Sequence, residues 1–351
     1  MRLFKSRGTA VFGILAALAV FATGCAKETT VDTSGMAKAF IDSWMSVNHP
    51  GVNPTGLGVY ILEDTPGAGA AISDNDSYLF INYTTTDLDG NISATTYETV
   101  SQRLGTYKEA DYYGPNVLIR NENQTQVGVL EMLKGMRVGG TRTALIPGWL
   151  NVYDQYSTPE EYIKKSSGTN VIHTINLVDK TSDIVAWEID TLSRYVAINM
   201  AGVDSTKFGY YCKTLKQPES NDTFASDTTF WINYTGRLLN GKVFDTTIAD
   251  TAKVYGIYSP SKTYAQMCVN PSPDSDYTKI TISSSSAEEG TTVVDGFSFC
   301  LSKLRTYEKV VCAFYSPLGY SYSGSGTSIP KFAPLVFEIE VVDAPLSEQD
   351  L

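Results

Sequence analysis

Histidine is almost missing from this chain. Of 351 residues, two are histidine, His49 and His173. A histidine-based triad or a His-rich metal site therefore has little material to work with. His49 precedes a proline in a polar stretch and His173 sits in strand-like text, so both read as structural. No GxxxxGKS, GxxxxGKT, HExxH or GxSxG segment occurs, and no cysteine pair shows CxxC spacing. Positive charge is short as well. Lys and Arg number 27 against 38 Asp and Glu, a net charge of −11. That balance argues against a nucleic-acid partner, which would want a basic face. The apolar run at residues 10–22 is too short to span a bilayer comfortably.

What is present starts at the N-terminus. Arg2, Lys5 and Arg7 precede that run, and Thr23, Gly24 and Cys25 follow it. A cationic stretch, a short apolar stretch and small residues make a secretory signal. Ala22-Thr23-Gly24-Cys25 resembles a bacterial lipobox, which implies lipid on Cys25 and a mature chain that begins there. The plainer alternative is a signal peptide that happens to end at a cysteine. Residues 26–36 read as a polar tether, and Glu28 hints at sorting away from the inner membrane. The expected location is the cell envelope, lipid-anchored, on a periplasmic or surface face. Cys212, Cys268, Cys300 and Cys312 all lie in the second half. An exported chain permits disulfides, but Cys300 and Cys312 fall in apolar text where buried thiols are as natural.

The main organisational fact is a repeat. INYT occurs at 81–84 and again at 232–235. With Tyr83 and Tyr234 as anchors, Tyr60 and Tyr211 stand at matching positions upstream, in GVYIL and GYYCK. Each copy ends a polar lead-in with an alternating strand, YLFINYT and TFWINYT. A helical pattern precedes each, at 36–47 and at 182–200. In the second helix Val185, Ile189, Leu192 and Val196 are expected on one face. Strand-rich copies with short helices predict an α+β fold with antiparallel sheets. The expected organisation is a signal at 1–24, a tether and short helix at 25–56, a first domain at 57–180, a linker helix at 181–206, a second domain at 207–343 and a tail at 344–351.

The second copy continues YTGRLLNGKVFDTT, VVDGF, SPLGY, SIP and LVFEIEVVD, in that order. This set resembles the FK506-binding-protein (FKBP) family of peptidyl-prolyl isomerases, over roughly 229–343. The first copy resembles it more faintly, through VLEMLKGMRVGGTR at 129–142. The resemblance implies two tandem domains, each an antiparallel sheet curled around a short helix. It further implies a pocket in the second domain, walled by Tyr234, Phe244, Val293, Val294, Phe297, Ile329 and Phe337. Asp245 and Tyr320 would supply its polar contacts. Phe297 stands at the pocket floor, where the family more often has Trp. In the first copy Ser93-Ala94 stands in place of Phe244-Asp245, and His173 in place of Phe337. That copy is expected to keep the scaffold and lack the pocket.

Rotating an X-Pro bond needs no nucleophile, metal or cofactor. The imide must lose conjugation across a barrier of about 20 kcal/mol, and a dry aromatic pocket favours the twisted, less dipolar state. The expected activity is isomerisation of X-Pro bonds in exported polypeptides, by the second domain alone. Of the residues implied, Asp245, Tyr320, Phe244 and Phe337 are the catalytic candidates. Tyr234, Val293, Val294, Phe297 and Ile329 are the substrate-binding ones. The first domain is expected to space, dimerise or hold unfolded clients. The rival is a non-catalytic binding module or chaperone of the envelope. The residues between Asp245 and Val293, with Tyr255, Tyr258 and Tyr264, could overhang the pocket or form a surface excursion.

Overall fold

The computed structural model describes residues 33–225, 228–272, 274, 276–285 and 290–345. The signal segment, Cys25, most of the tether and the tail from 346 onward lie outside the described residues. Among the described residues, no helix is long and apolar enough to cross a membrane.

The chain builds two units of like design. The first runs α1 (Thr33–Asn48), β1 (Tyr60–Thr65), β2 (Tyr78–Thr86), β3 (Ile92–Thr95), α2 (Glu98–Leu104), β4 (Asn116–Ile119), α3 (Val127–Leu133), β5 (Thr141–Ile146), α4 (Pro159–Lys165) and β6 (Val171–Thr181). A connecting helix, α5 (Ile184–Asn199), leads to the second. That unit runs β7 (Tyr210–Lys216), β8 (Phe230–Leu238), β9 (Val243–Thr246), α6 (Ala249–Val254), β10 (Met267–Asn270), β11 (Thr281–Ser283), β12 (Thr291–Thr292), α7 (Asp295–Leu301), β13 (Lys309–Phe314) and β14 (Leu335–Val342). The first sheet is ordered β1-β5-β6-β2-β3, with β4 also on β2. The second is β12-β11-β10-β8-β14-β13-β7, with β9 also on β8. Every pairing is antiparallel. This is the expected α+β fold, each sheet packed on a short helix.

Strand register puts the repeat on a physical footing. Tyr60 pairs with Leu145 and Tyr211 with Ala313, each at the same step of its ladder. INYT is a strand lock used twice. Its Ile points into the core, with Ile81 4% and Ile232 0% exposed. The Tyr N–H donates to a threonine hydroxyl, Tyr83 to Thr96 at 2.9 Å and Tyr234 to Thr247 at 3.0 Å. Those hydroxyls donate on to Asn82 and Asn233. The closing Thr meets Thr95 or Thr246 across the hairpin at 3.0 and 2.9 Å. Four residues thus fix the edge strand that follows.

The core helices match too. A Cβ on Gly128 would come within 2.2 Å of Ile146, and one on Gly296 within 2.5 Å of the Phe314 ring. Only glycine lets each helix sit that close to its sheet. The four described cysteines are free thiols. Cys212 faces Cys312 across β7 and β13, and a hydrogen bond with Cys300, then burial, pushes its thiol up. Cys212 and Cys312 hold the ladder positions that Ile61 and Ala144 hold in the first unit, so these thiols stand where apolar side chains pack.

Helix α5 starts at a capped end, where Asp183 accepts from the Ala186 N–H at 3.0 Å. Its buried row corrects the expectation. Ile184, Glu188, Leu192 and Val196 are buried, while Val185 and Ile189 are half-buried. Leu192 and Val196 are buried as expected and, with Met200, pack on Ala313 of β13 and Val336 of β14; the departure is at the start of the helix, where Ile184 and Glu188 are buried in place of Val185 and Ile189. Trp187 stacks on Phe80 of the first unit with ring centroids 4.0 Å apart. So α5 touches both units.

Glu188 is 0% exposed and accepts from the Ser316 N–H at 2.6 Å and hydroxyl at 2.8 Å. Burial outweighs these bonds and pushes its carboxyl up to about 7. A raised folded value stabilises fully below the unfolded value near 4.5 and is lost as pH rises through about 7. At one pH unit per about 1.4 kcal/mol, the loss amounts to roughly 3 kcal/mol. Glu188→Gln should flatten this dependence. Thermal unfolding at pH 5 and pH 8 should show the variant gaining on the parent at the higher pH. Parallel pH profiles for the two proteins would refute the assignment.

Candidate functional site

The second unit places all nine candidate residues around one cavity of about 500 Å³. β8 brings Tyr234, β9 brings Phe244 and Asp245, and β14 brings Phe337. Val293 and Val294 immediately precede α7, which carries Phe297. Tyr320 follows the short turn Ser316–Leu318. Ile329 closes a narrow hairpin with Ser325, at 2.8 and 3.1 Å between their backbones. Cys25 lies outside the described residues.

The rings form a connected wall. Phe337 lies 4.7 Å from Phe297, 5.6 Å from Phe244 and 6.2 Å from Tyr234, centroid to centroid. Phe244 meets Phe337 edge to face at 82°. Tyr234 meets Phe297 at 5.3 Å and 70°. Such tilted and T-shaped pairs suit the ring quadrupole. Gly236 makes the arrangement possible, because a Cβ there would lie 2.6 Å from Phe244 and 2.8 Å from Phe337. The set is apolar and buried at the floor, with Phe297 3% and Phe337 6% exposed.

Polar groups gather at the rim. The Tyr234 hydroxyl donates to Asp245 Oδ2 at 2.7 Å. Lys262 pairs with Asp245 Oδ1 and also donates to the Thr246 carbonyl at 3.0 Å. Both partners of that ion pair are more than a third exposed, so its worth lies in orientation more than in energy. Burial, then the charge of Asp245, raises both the Tyr234 and Tyr320 phenols. Both therefore remain O–H donors at neutral pH.

The open question about residues 245–293 resolves into structure. The segment forms α6 and strands β10, β11 and β12, which extend the second sheet. It also supplies Ile282 and Thr292 to the cavity wall, and Lys262 to Asp245. Sequence reasoning missed these three, together with Ser325 and Ser328. The alternation in TKITIS was the available signal for Ile282. Nothing local marks Lys262.

Pairing confirms the expected substitutions in the first unit. Thr85 faces Ala94 and His173, as Gly236 faces Asp245 and Phe337. Where the second unit has rings, Thr85 Oγ1 and His173 Nδ1 share a hydrogen bond of 2.9 Å. Burial lowers His173 to about 4, so it is neutral near pH 7. Among the described residues, no cluster of His, Cys, Asp and Glu could hold a metal ion.

No family model matches the chain. Among curated proteins it is similar to one named "Probable FKBP-type peptidyl-prolyl cis-trans isomerase", from Haemophilus influenzae (strain ATCC 51907 / DSM 11121 / KW20 / Rd). The two are 26% identical over 148 residues, 42% of this chain and 48% of that protein. The chain thus spans about half the length of that relative. Solved structures with some likeness include a peptidyl-prolyl cis-trans isomerase from Pseudomonas syringae pv. tomato str. DC3000, at TM-score 0.29 and 21% identity, covering 45% of this chain and 93% of that one. The three FKBP domains of wheat FKBP73 give TM-score 0.26 and 12% identity, covering 81% and 94%. FkpA from Escherichia coli gives 0.29 and 20%, covering 43% and 60%. Scores of that size carry no argument; the fold rests on the strand registers above. The curated match supports a relationship to FKBP-type isomerases at the level of the family.

Gly236→Ala should cost the second unit about 1–3 kcal/mol, because two rings must shift to admit the methyl group. Lys262→Ala should cost less than about 1 kcal/mol. Thermal unfolding of both variants checks this. A neutral Gly236→Ala would mean that the rings are not held as described.

Proposed function

We propose that the second unit isomerises X-Pro bonds of exported polypeptides, and that a lipid on Cys25 holds the protein at a cell-envelope membrane. The observation that carries the catalytic part is the cavity itself. It is open, about 500 Å³ in volume, and walled by Tyr234, Phe244, Phe297 and Phe337, with Asp245 and Tyr320 at its rim. The described residues of the 246–292 segment edge the cavity without filling it, which favours the enzyme over an inert binding module.

The chemistry follows from the residue types. A prolyl ring fits the aromatic floor, and the walls exclude water from the imide. The planar imide is the more dipolar state, so a dry wall favours the twisted one. Tyr320 donates to a carbonyl that flanks the proline. Asp245, fixed by Tyr234 and Lys262, accepts from a backbone N–H beside the proline. No bond is made or broken, so no nucleophile or metal is required. The first unit has Ser93, Ala94 and His173 where these groups would stand, and no isomerase activity is assigned to it.

With a short Xaa-Pro peptide as substrate, the protein should accelerate cis-trans exchange. Asp245→Ala and Phe244→Ala should each lower kcat/KM on the order of ten- to a hundredfold, equivalent to about 1.4–2.7 kcal/mol. Both residues are half-buried, so the variants should keep the fold, as circular dichroism would verify. A folded protein without acceleration, or variants that match the parent, would sink the catalytic reading.

A further inference from the structure

A second cavity, of about 680 Å³, lies between the units and has no part in the reading above. One wall belongs to the first unit. β3 and β4 both pair with the edge of β2 that faces away from β6. Among the described residues, the outer edges of β3 and β4 pair with no strand. The second unit treats the same place differently. Its β10 stands where β4 does, and β11 and then β12 cover it. The first unit also has Ser93 and Ala94, both exposed, where Phe244 and Asp245 stand in the second. Loss of those bulky groups leaves room along the open edge.

The other wall is the 323–331 hairpin of the second unit. It is fixed against the first unit at several points. The Tyr112 N–H donates to the Thr327 carbonyl at 2.7 Å, and the Thr327 hydroxyl donates to Asp111 at 2.5 Å. Phe332 meets Tyr78 edge to face at 5.5 Å. Ile329 of this hairpin lines both the inter-unit cleft and the second-unit cavity. The two cavities thus share Ile329 as a common wall.

We propose that the cleft binds an extended segment of the same polypeptide whose X-Pro bond occupies the second-unit cavity, by strand addition to the open edge of β3 and β4. The proposal rests on the isomerase reading. An open strand edge recognises main-chain amides, which any unfolded polypeptide offers. Ile92, Val117 and Leu118, all half-buried along the cleft, add apolar contact for alternate side chains. The two sites then act on one ligand, and the second contact gains from the first by effective concentration.

The test uses the intact protein and two synthetic peptides. One is an Xaa-Pro tetrapeptide. The other carries the same core within about 16 residues, flanked on both sides by alternating Val and Thr, long enough for strand addition. The longer peptide should show a KM lower by about tenfold at unchanged kcat. Ala94→Trp, a change at an exposed position, should abolish that advantage and leave tetrapeptide turnover intact. Equal KM values for the two peptides, or an advantage that survives Ala94→Trp, would overturn the cleft. If the tetrapeptide is not turned over at all, the isomerase reading alone fails. Fluorescence anisotropy of the labelled longer peptide then judges the cleft: binding lost in Ala94→Trp supports it, and binding absent or undiminished overturns it.

Discussion

Phe337 is the ring on which the second unit's cavity depends. It contacts Phe297, Phe244, Tyr234 and Phe314, the last stacked at 5.8 Å and 11°. Strands β8, β9 and β13 and helix α7 meet on this one side chain. The missing Cβ at Gly236 lets the rings close together. Ring, ring and glycine form a single packing unit, because interiors are close-packed and a change of one methyl group is felt. The first unit makes the same point in reverse. Thr85, Ser93 and His173 stand at those three positions, with a hydrogen bond in place of ring contact. A threonine at the glycine position is incompatible with two rings beside it. The three positions therefore differ as a set.

The surrounding structure holds that set from two directions. From one side, α5 delivers Glu188 to Ser316, which opens the turn that leads to Tyr320. The same helix stacks Trp187 on the first unit, so one element spans both. From the other side, the inserted segment brings Lys262 to Asp245 and Ile282 to the wall. A buried carboxylate in a linker helix is costly unless its oxygens are satisfied. Both oxygens of Glu188 are engaged by Ser316, which fixes the linker relative to the rim.

The parts legible in the sequence were those with local periodicity or a repeated motif. INYT, the paired tyrosines and the alternating strands fixed the ladders, and Asn82 and Asn233 fell into the same hydrogen-bond lock. The pocket set was legible only because several family-like segments occurred in order. Glu188, Lys262 and the inter-unit hairpin contacts were not legible, because their partners lie far away in sequence: Glu188 meets Ser316 and Thr327 meets Asp111. The departure in the first half of α5, with Ile184 and Glu188 buried in place of Val185 and Ile189, has a specific cause. Two adjacent rows of the helix are apolar enough to be buried, and Glu188 interrupts the one that is. Hydrophobic pattern favours the row without a charge; the bond to Ser316 selects the other.

The two units also differ in how they treat an apolar edge strand. Such an edge invites unwanted pairing unless it is short, charged or covered. In the second unit β10 is covered by β11, and Cys268 and Val269 are 0% exposed. In the first unit the matching Val117 and Leu118 are only half-buried, and the strand is four residues long. What stands over it is the 323–331 hairpin of the second unit, set back far enough to leave a cavity. An edge that needed only protection could have been closed by the same insertion. Instead the hairpin stands over the edge and leaves a cavity of about 680 Å³ beside it. The hairpin that does so also carries Ile329 into the aromatic cavity, so the geometry of one site constrains the width of the other.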